Sequence, residues 1–275
     1  MSGGSSAGGN SAGGNSAGGN SAGGSSAGGN SAGGAAAGGS SAGGSSSGGN
    51  SAGGGGAGGG ASVAGVGAHS LSYFAQSENG LAAITSPALQ TAASGSTIIV
   101  STGRGVFSAV ALPTDNKGNS PYAQLGVPHT YTNYPNSGTA LYSFEGAIGG
   151  ANHVVSNSNQ PYDEITMAVV EVKNGSNVQD FTWVERLNGQ ALTAAPVTTT
   201  GPATLVAFWW GDGGVGEEKI AVPNNGFVVL DSLGTPGEVV QCFVAAKDVA
   251  AAGTYDVTWD ATPPQGAQLW LVAVQ

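Results

Sequence analysis

Residues 205–210 read Leu205-Val206-Ala207-Phe208-Trp209-Trp210, six apolar side chains with no polar position among them. In a β-strand successive side chains point to opposite faces, so a strand here is apolar on both. Such a strand belongs at the centre of a layered structure, where both faces are covered. Trp209 and Trp210 then face opposite ways, one into the core and the other into a second layer or a subunit contact. Residues 165–171 repeat the argument, with Ile165, Met167 and Val169 on one face and Ala168 and Val170 on the other.

Outward from these segments, short apolar runs alternate with turn signals. Strands are predicted at 70–76, 96–102, 107–112, 120–125, 139–146, 153–157, 164–173, 203–210, 219–222, 226–230, 238–246, 254–260 and 268–274. Asp115-Asn116-Lys117-Gly118-Asn119, Gly149-Gly150, Asn224-Asn225-Gly226 and Pro263-Pro264-Gln265-Gly266 mark turns between them. Helical periodicity is weak, with room for a turn or two at 86–93 and 246–252. The density of strands predicts an all-β head over residues 70–275, a β-sandwich of two packed sheets with a jelly-roll-like course.

The head follows a tract of another kind. Residues 3–62 are twelve consecutive blocks of the form Gly-Gly-x-x-x, from Gly3-Gly4-Ser5-Ser6-Ala7 to Gly58-Gly59-Gly60-Ala61-Ser62. The variable places hold only Ser, Asn, Ala and Gly, so the tract cannot bury a core of its own. Two readings stay open. One is a flexible linker. The other is an extended stalk whose chains lie side by side and bond to each other through backbone groups that no side chain shields. Fully extended, sixty residues reach roughly 190 Å. The assembly candidates are Gly3, Gly4, Gly58 and Gly59 in the tract and Val63 and Val66 in the passage 63–69, which reads as a hinge.

Charge and compartment narrow the function. The formal net charge is −10 with only six Lys and Arg, a balance that repels phosphate backbones and argues against nucleic acid. No run of eighteen apolar residues exists, so no membrane insertion is expected. Met1-Ser2-Gly3-Gly4 lacks the basic and apolar regions of a secretory signal, and an extracellular or virion location is expected by another route. The single Cys242 excludes an internal disulfide and sits in an apolar strand pattern, as an inert buried thiol would.

Four groups of residues carry a resemblance. They are the turn Pro113-Thr114-Asp115-Asn116-Lys117-Gly118-Asn119-Ser120-Pro121-Tyr122; the aromatic strand from Tyr142 leading to Gly149-Gly150-Ala151-Asn152-His153-Val154-Val155; the strand Ala168-Val169-Val170-Glu171; and the closing Ala252-Gly253-Thr254-Tyr255-Asp256-Val257-Thr258-Trp259. Together they resemble an uncharacterised β-sandwich domain of bacterial surface and phage-associated proteins, over about residues 96–275. The resemblance implies a fold and brings no catalytic residues with it.

Chemical motifs are sparse. His69, His129 and His153 show no metal-ligand spacing and read as solvated or capping side chains. Asp115–Asn119 has oxygen ligands in a tight turn, but Lys117 interrupts it and a plain Asx turn fits better. Gly211-Asp212-Gly213-Gly214-Val215-Gly216 lacks the Gly-Lys-Ser/Thr of a phosphate loop. No cofactor and no metal site is expected, and no enzymatic activity. The strongest binding candidates are Tyr131, Asn133 and Tyr134, aromatics among hydrogen-bonding side chains on an inter-strand segment, suited to sugar or protein. The expected function is structural: a self-associating stalk with a head that decorates a fibre or contacts a surface. A carbohydrate-binding or adhesin head on a flexible linker is the alternative, with surface glycans as partner.

Overall fold

The structure, a computed structural model, describes residues 63–74, 83–106, 111–158, 164–187, 191–212, 220–234, 240–262 and 266–275. The repeat at 1–62, with Gly3, Gly4, Gly58 and Gly59, lies outside the described residues. Those described form nineteen strands and no helix, all paired antiparallel where they pair. The first nine are β1 (Val66–Phe74), β2 (Ala83–Thr85), β3 (Ser94–Arg104), β4 (Thr114–Asp115), β5 (Ala123–Gln124), β6 (His129–Thr130), β7 (Gly138–Ile148), β8 (Val155–Ser158) and β9 (Ile165–Val172). The next ten are β10 (Val178–Arg186), β11 (Ala191–Thr193), β12 (Val197–Thr199), β13 (Ala203–Asp212), β14 (Ile220–Pro223), β15 (Val228–Leu233), β16 (Val240–Val249), β17 (Gly253–Tyr255), β18 (Thr258–Thr262) and β19 (Ala267–Val274).

The topology repeats. The large sheet of the first half runs β1-β9-β3-β7-β5, and that of the second runs β10-β19-β13-β16-β15. The small sheets run β2-β8-β4 and β11-β18-β14. Exchanging β1, β2, β3, β4, β5, β7, β8 and β9 for β10, β11, β13, β14, β15, β16, β18 and β19 converts one half into the other without a mismatch. Only β6, beside β7, and the pair β12–β17 are extra. Contacts between the large sheets obey the same exchange: β9 meets β16 and β19 meets β7, as a two-fold relation requires. Gly103 of β3 packs on Trp210 of β13, a pair of counterpart strands that the exchange maps onto itself.

Packing follows from the apolar pattern. Val206, Phe208 and Trp210 of β13 share one core with Ile99, Leu141, Ala168 and Val170 of the opposite large sheet. Leu205, Ala207 and Trp209, on the other face, pack with Leu192, Ala221 and Trp259 of the second small sheet. Ile165, Met167 and Val169 face a third core with Ile84 and Val155. The two-sided strands are therefore central, as their sequence requires. Each large side chain fully buried in these cores contributes about 1.5–3 kcal/mol.

Some expectations are corrected. Residues 246–249 are the end of β16, and 86–93 are irregular with one bridge, Leu89 to His153; no helical turn forms at either place. The helix propensity of the alanines flanking 247–249 is overridden where the chain pairs with β13 and, at Ala246, with β15 as well. The strand predicted at 107–112 falls partly outside the described residues, and 111–112 are not strand. The segment 254–260 is broken between β17 and β18. The passage 63–69 holds a turn, with Val66 N donating to Val63 O at 3.1 Å, and then the start of β1. Val63 and Val66 are buried in the shared core, which satisfies them inside the chain and removes them as assembly contacts.

Candidate functional site

Register fixes where each connection leaves the body. Phe74, Arg104, Gly138 and Ile165 are neighbours at one end of the first large sheet. Arg186, Gly211, Asp212, Val240 and Ala267 are neighbours at one end of the second. An added Cβ at Gly266 would meet the Tyr131 hydroxyl and the Leu187 carbonyl, so the two sets of strand ends lie together. At the opposite end Lys173 N donates to Gly65 O at 2.8 Å, and Gly65 N to Asp248 Oδ2 at 3.0 Å. The described chain thus starts, at Val63, at one end, while the β1–β2, β3–β4, β6–β7 and β8–β9 connections and their counterparts leave from the other.

On that far end lies a cavity of about 350 Å³ lined by Gly105, Asn133, Tyr134, Pro135, Asn136, Ser137 and Glu164. Its wall is built by the β6–β7 connection, which folds on itself: Tyr131 N donates to Ser137 O (2.8 Å), Tyr134 N to Tyr131 O (3.2 Å) and Ser137 N to Tyr134 O (2.8 Å). The connection is also pinned to the second half. Glu185 accepts from Thr132 N at 2.7 Å and Thr132 Oγ1 at 2.6 Å, and Asn133 Nδ2 donates to Leu187 O at 2.9 Å. Glu164 lies close over Gly105: a Cβ added there would fall 2.1 Å from Glu164 Oε1 and displace that side chain.

The two tyrosines separate in role. Tyr134 is 50% exposed and Tyr131 only 1%. Their rings stack at 5.6 Å and 19°, and Tyr131 stands edge-on to Trp210 at 6.4 Å and 86°. Tyr131 therefore does not reach the cavity, which corrects its place among the ligand contacts. It is the rigid backing that holds Tyr134. A fixed, half-exposed ring beside two carboxamides and a carboxylate is suited to stacking on the apolar face of a sugar while bonding its hydroxyls.

The remaining candidates lie elsewhere. His69 Nδ1 is 2.7 Å from Asp231 Oδ2, joining β1 to β15 across the two halves; this hydrogen bond, opposed by burial, raises the imidazole's pKa. His153 is fully buried rather than solvated, between Asp115 Oδ2 (3.1 Å) and Thr91 Oγ1 (3.1 Å). Asp115 also accepts from Lys117 N, Asn119 N, Asn119 Nδ2 and the Tyr122 hydroxyl. Burial alone would raise that carboxyl, but bonds from Asn119, Tyr122 and His153 hold it below its ordinary value. The turn is an Asx network whose oxygens are occupied by protein donors. His129 stacks on Trp183 at 3.8 Å and 6° and tilts against Trp270 at 5.2 Å; burial lowers its pKa, against a nearby Glu185 charge that raises it. Burial pushes the Cys242 thiol up to about 12. Among the described residues no three His, Cys, Asp or Glu side chains converge as a metal site, and no helix is long and apolar enough to cross a membrane.

Glu164 and Gly105 join the site without having been singled out in the sequence, and Asn136 closes the segment that carries Asn133 and Tyr134. No family model matches the chain, and neither do any curated protein or solved structure.

Proposed function

We propose that the chain is a structural fibre or filament protein, extracellular or on a virion, whose glycine-rich segment self-associates and whose head contacts a surface. The head on this reading is two jelly rolls in tandem, related to the β-sandwich domain that the sequence resembles. The strand orders support it: with eight strands per half in chain order, one sheet runs first-last-third-sixth-fifth and the other second-seventh-fourth, the pairings of a jelly roll except that the fifth strand joins the sixth rather than the fourth. The observation that carries the functional reading is polarity. The described chain starts at one end, and the cavity of Tyr134, Asn133, Asn136 and Glu164 lies at the other, the plan of a head that meets its target away from its attachment. The role is binding rather than turnover, without cofactor or nucleic acid.

Electron microscopy of the full chain tests this. Filaments or rod-and-knob particles support the fibre; dispersed single heads refute it. They would leave the second reading, a carbohydrate-binding head on a flexible linker, which the same cavity favours and glycan-array binding checks.

A further inference from the structure

At the loop end of the shared core the two halves meet through a buried polar cluster that no surface role explains. Thr139 of β7 donates its hydroxyl to Gln268 Oε1 of β19 at 2.6 Å, and Trp270 Nε1 donates to Thr139 Oγ1 at 2.9 Å. All three side chains are buried, and among the described residues Gln268 Nε2 and Trp210 Nε1 are buried donors without a partner. A buried, unsatisfied donor calls for an explanation. Trp210 is the cross-strand partner of Gln268, and His129 that of Thr139, so each pair shares a face with Cβ atoms about 5 Å apart. Glu185, also paired with Gln268, sets its charge on His129. The arrangement brings together a hydroxyl nucleophile hydrogen-bonded to a carboxamide electrophile, an imidazole paired beside the hydroxyl, and buried N–H groups without a partner.

We propose that Thr139 and Gln268 condense to an internal ester that staples the two halves together. His129 takes the hydroxyl proton as Oγ1 attacks Gln268 Cδ; the Oγ1–Cδ bond forms and the carbonyl electron pair moves onto Oε1. Trp210, paired with Gln268 across the strands, carries the unpartnered buried N–H available to that developing charge. As the carbonyl re-forms, the Cδ–Nε2 bond breaks, and Nε2 leaves as ammonia with the proton returned by the imidazolium. Hydroxyl plus carboxamide gives ester plus ammonia, with no oxidant or reductant. Burial lowers the His129 pKa, which favours the neutral imidazole that a base requires, and the burial of Thr139 and Gln268 excludes water that would hydrolyse the product. With Cys242 the single cysteine, no disulfide does this work within the chain, and the ester joins positions 129 residues apart.

The test is the intact mass of the full-length protein after folding. The expected mass is one ammonia below that of the sequence, with a linked peptide containing Thr139 and Gln268 that alkaline hydroxylamine cleaves. Thr139→Val and Gln268→Leu should restore the sequence mass, and His129→Gln should fold by circular dichroism yet keep it. A folded wild-type protein at full sequence mass overturns the proposal. So does an ammonia loss that maps to Asn225-Gly226, the signature of a succinimide, instead of to this pair.

Discussion

Substituting Gly103 by alanine should test how the two halves meet. A Cβ built there falls 2.1 Å from Trp210 Nε1, 2.3 Å from its Cδ1 and 2.6 Å from its Cε2, all atoms of a rigid ring buried in the shared core. Real Cβ contacts are never so short, so β3 or the indole must shift. Overpacking of this kind costs about 1–3 kcal/mol; at about 2 kcal/mol, a domain of this size melts roughly 4–8 °C lower. The cause is isolated by a double-mutant cycle with Trp210→Phe. Phenylalanine lacks the Nε1 edge that collides, so Gly103→Ala should cost less in that background, with a favourable coupling of about 0.5–3 kcal/mol. Gly118→Ala is the contrast: its φ of +84° makes alanine strained, but nothing lies within 4 Å, so its cost should not change with Trp210. Scanning calorimetry of the four proteins decides it. Equal melting temperatures for wild type and Gly103→Ala, or strictly additive losses, would refute contact between β3 and β13 at this point.

Three further outcomes follow from the same geometry. On the carbohydrate-binding reading, Tyr134→Ala should abolish glycan binding at an unchanged melting temperature, whereas Tyr131→Ala should cost about 3–5 kcal/mol because its ring is buried; similar stability losses for both would show that the exposed ring is structural. The hydrogen bond to Asp231 raises the His69 pKa, so its stabilisation is full below the unfolded value of about 6.5 and is lost as pH rises through the raised folded value; melting temperatures against pH for wild type and Asp231→Asn should converge at high pH, and parallel curves would remove the pair from the account. A chain lacking residues 1–62 should scatter less light than the full chain at equal concentration, and equal association would reduce the repeat to a tether.

The central strands were legible in the sequence because their burial is written on both faces. β13 and β9 carry apolar side chains at consecutive positions, and only a covered strand does so. β10 was missed for the converse reason. Val178-Gln179-Asp180-Phe181-Thr182-Trp183-Val184 mixes polar and apolar groups because it is an edge strand, half-buried along its length. Strands of two or three residues, such as β4 and β6, are too short to show a period at all. The site was half legible. The β6–β7 connection announced itself by composition, but the burial of Tyr131 is decided by Trp210 and Gly266, far away in the chain. Glu164 gave no signal, since its role comes from lying over Gly105, and Thr139 with Gln268 gave none for the same reason. The repeat of topology was hidden because a strand order constrains hydrophobic pattern and turn placement while leaving residue identity free.

That repeat explains why the site sits where it does. A two-fold exchange must set β1 against β15 and β5 against β10. On the first side β15 is six residues long, and the His69–Asp231 pair closes the seam. On the second side its counterpart β5 is only two residues, and a cavity of about 350 Å³ remains between Leu125, Phe144, Val178 and Phe181. The chain that builds a full β15 in the second half is, in the first, diverted into β6 and the 131–137 connection. Two copies of one topology thus need not both complete every strand. The copy that leaves its strand short frees a length of chain, and the intact copy supplies Glu185 and the Leu187 carbonyl to hold it rigid. A single half would offer the loop without the clamp, which places the origin of the proposed binding end in the packing of the two halves rather than in either alone.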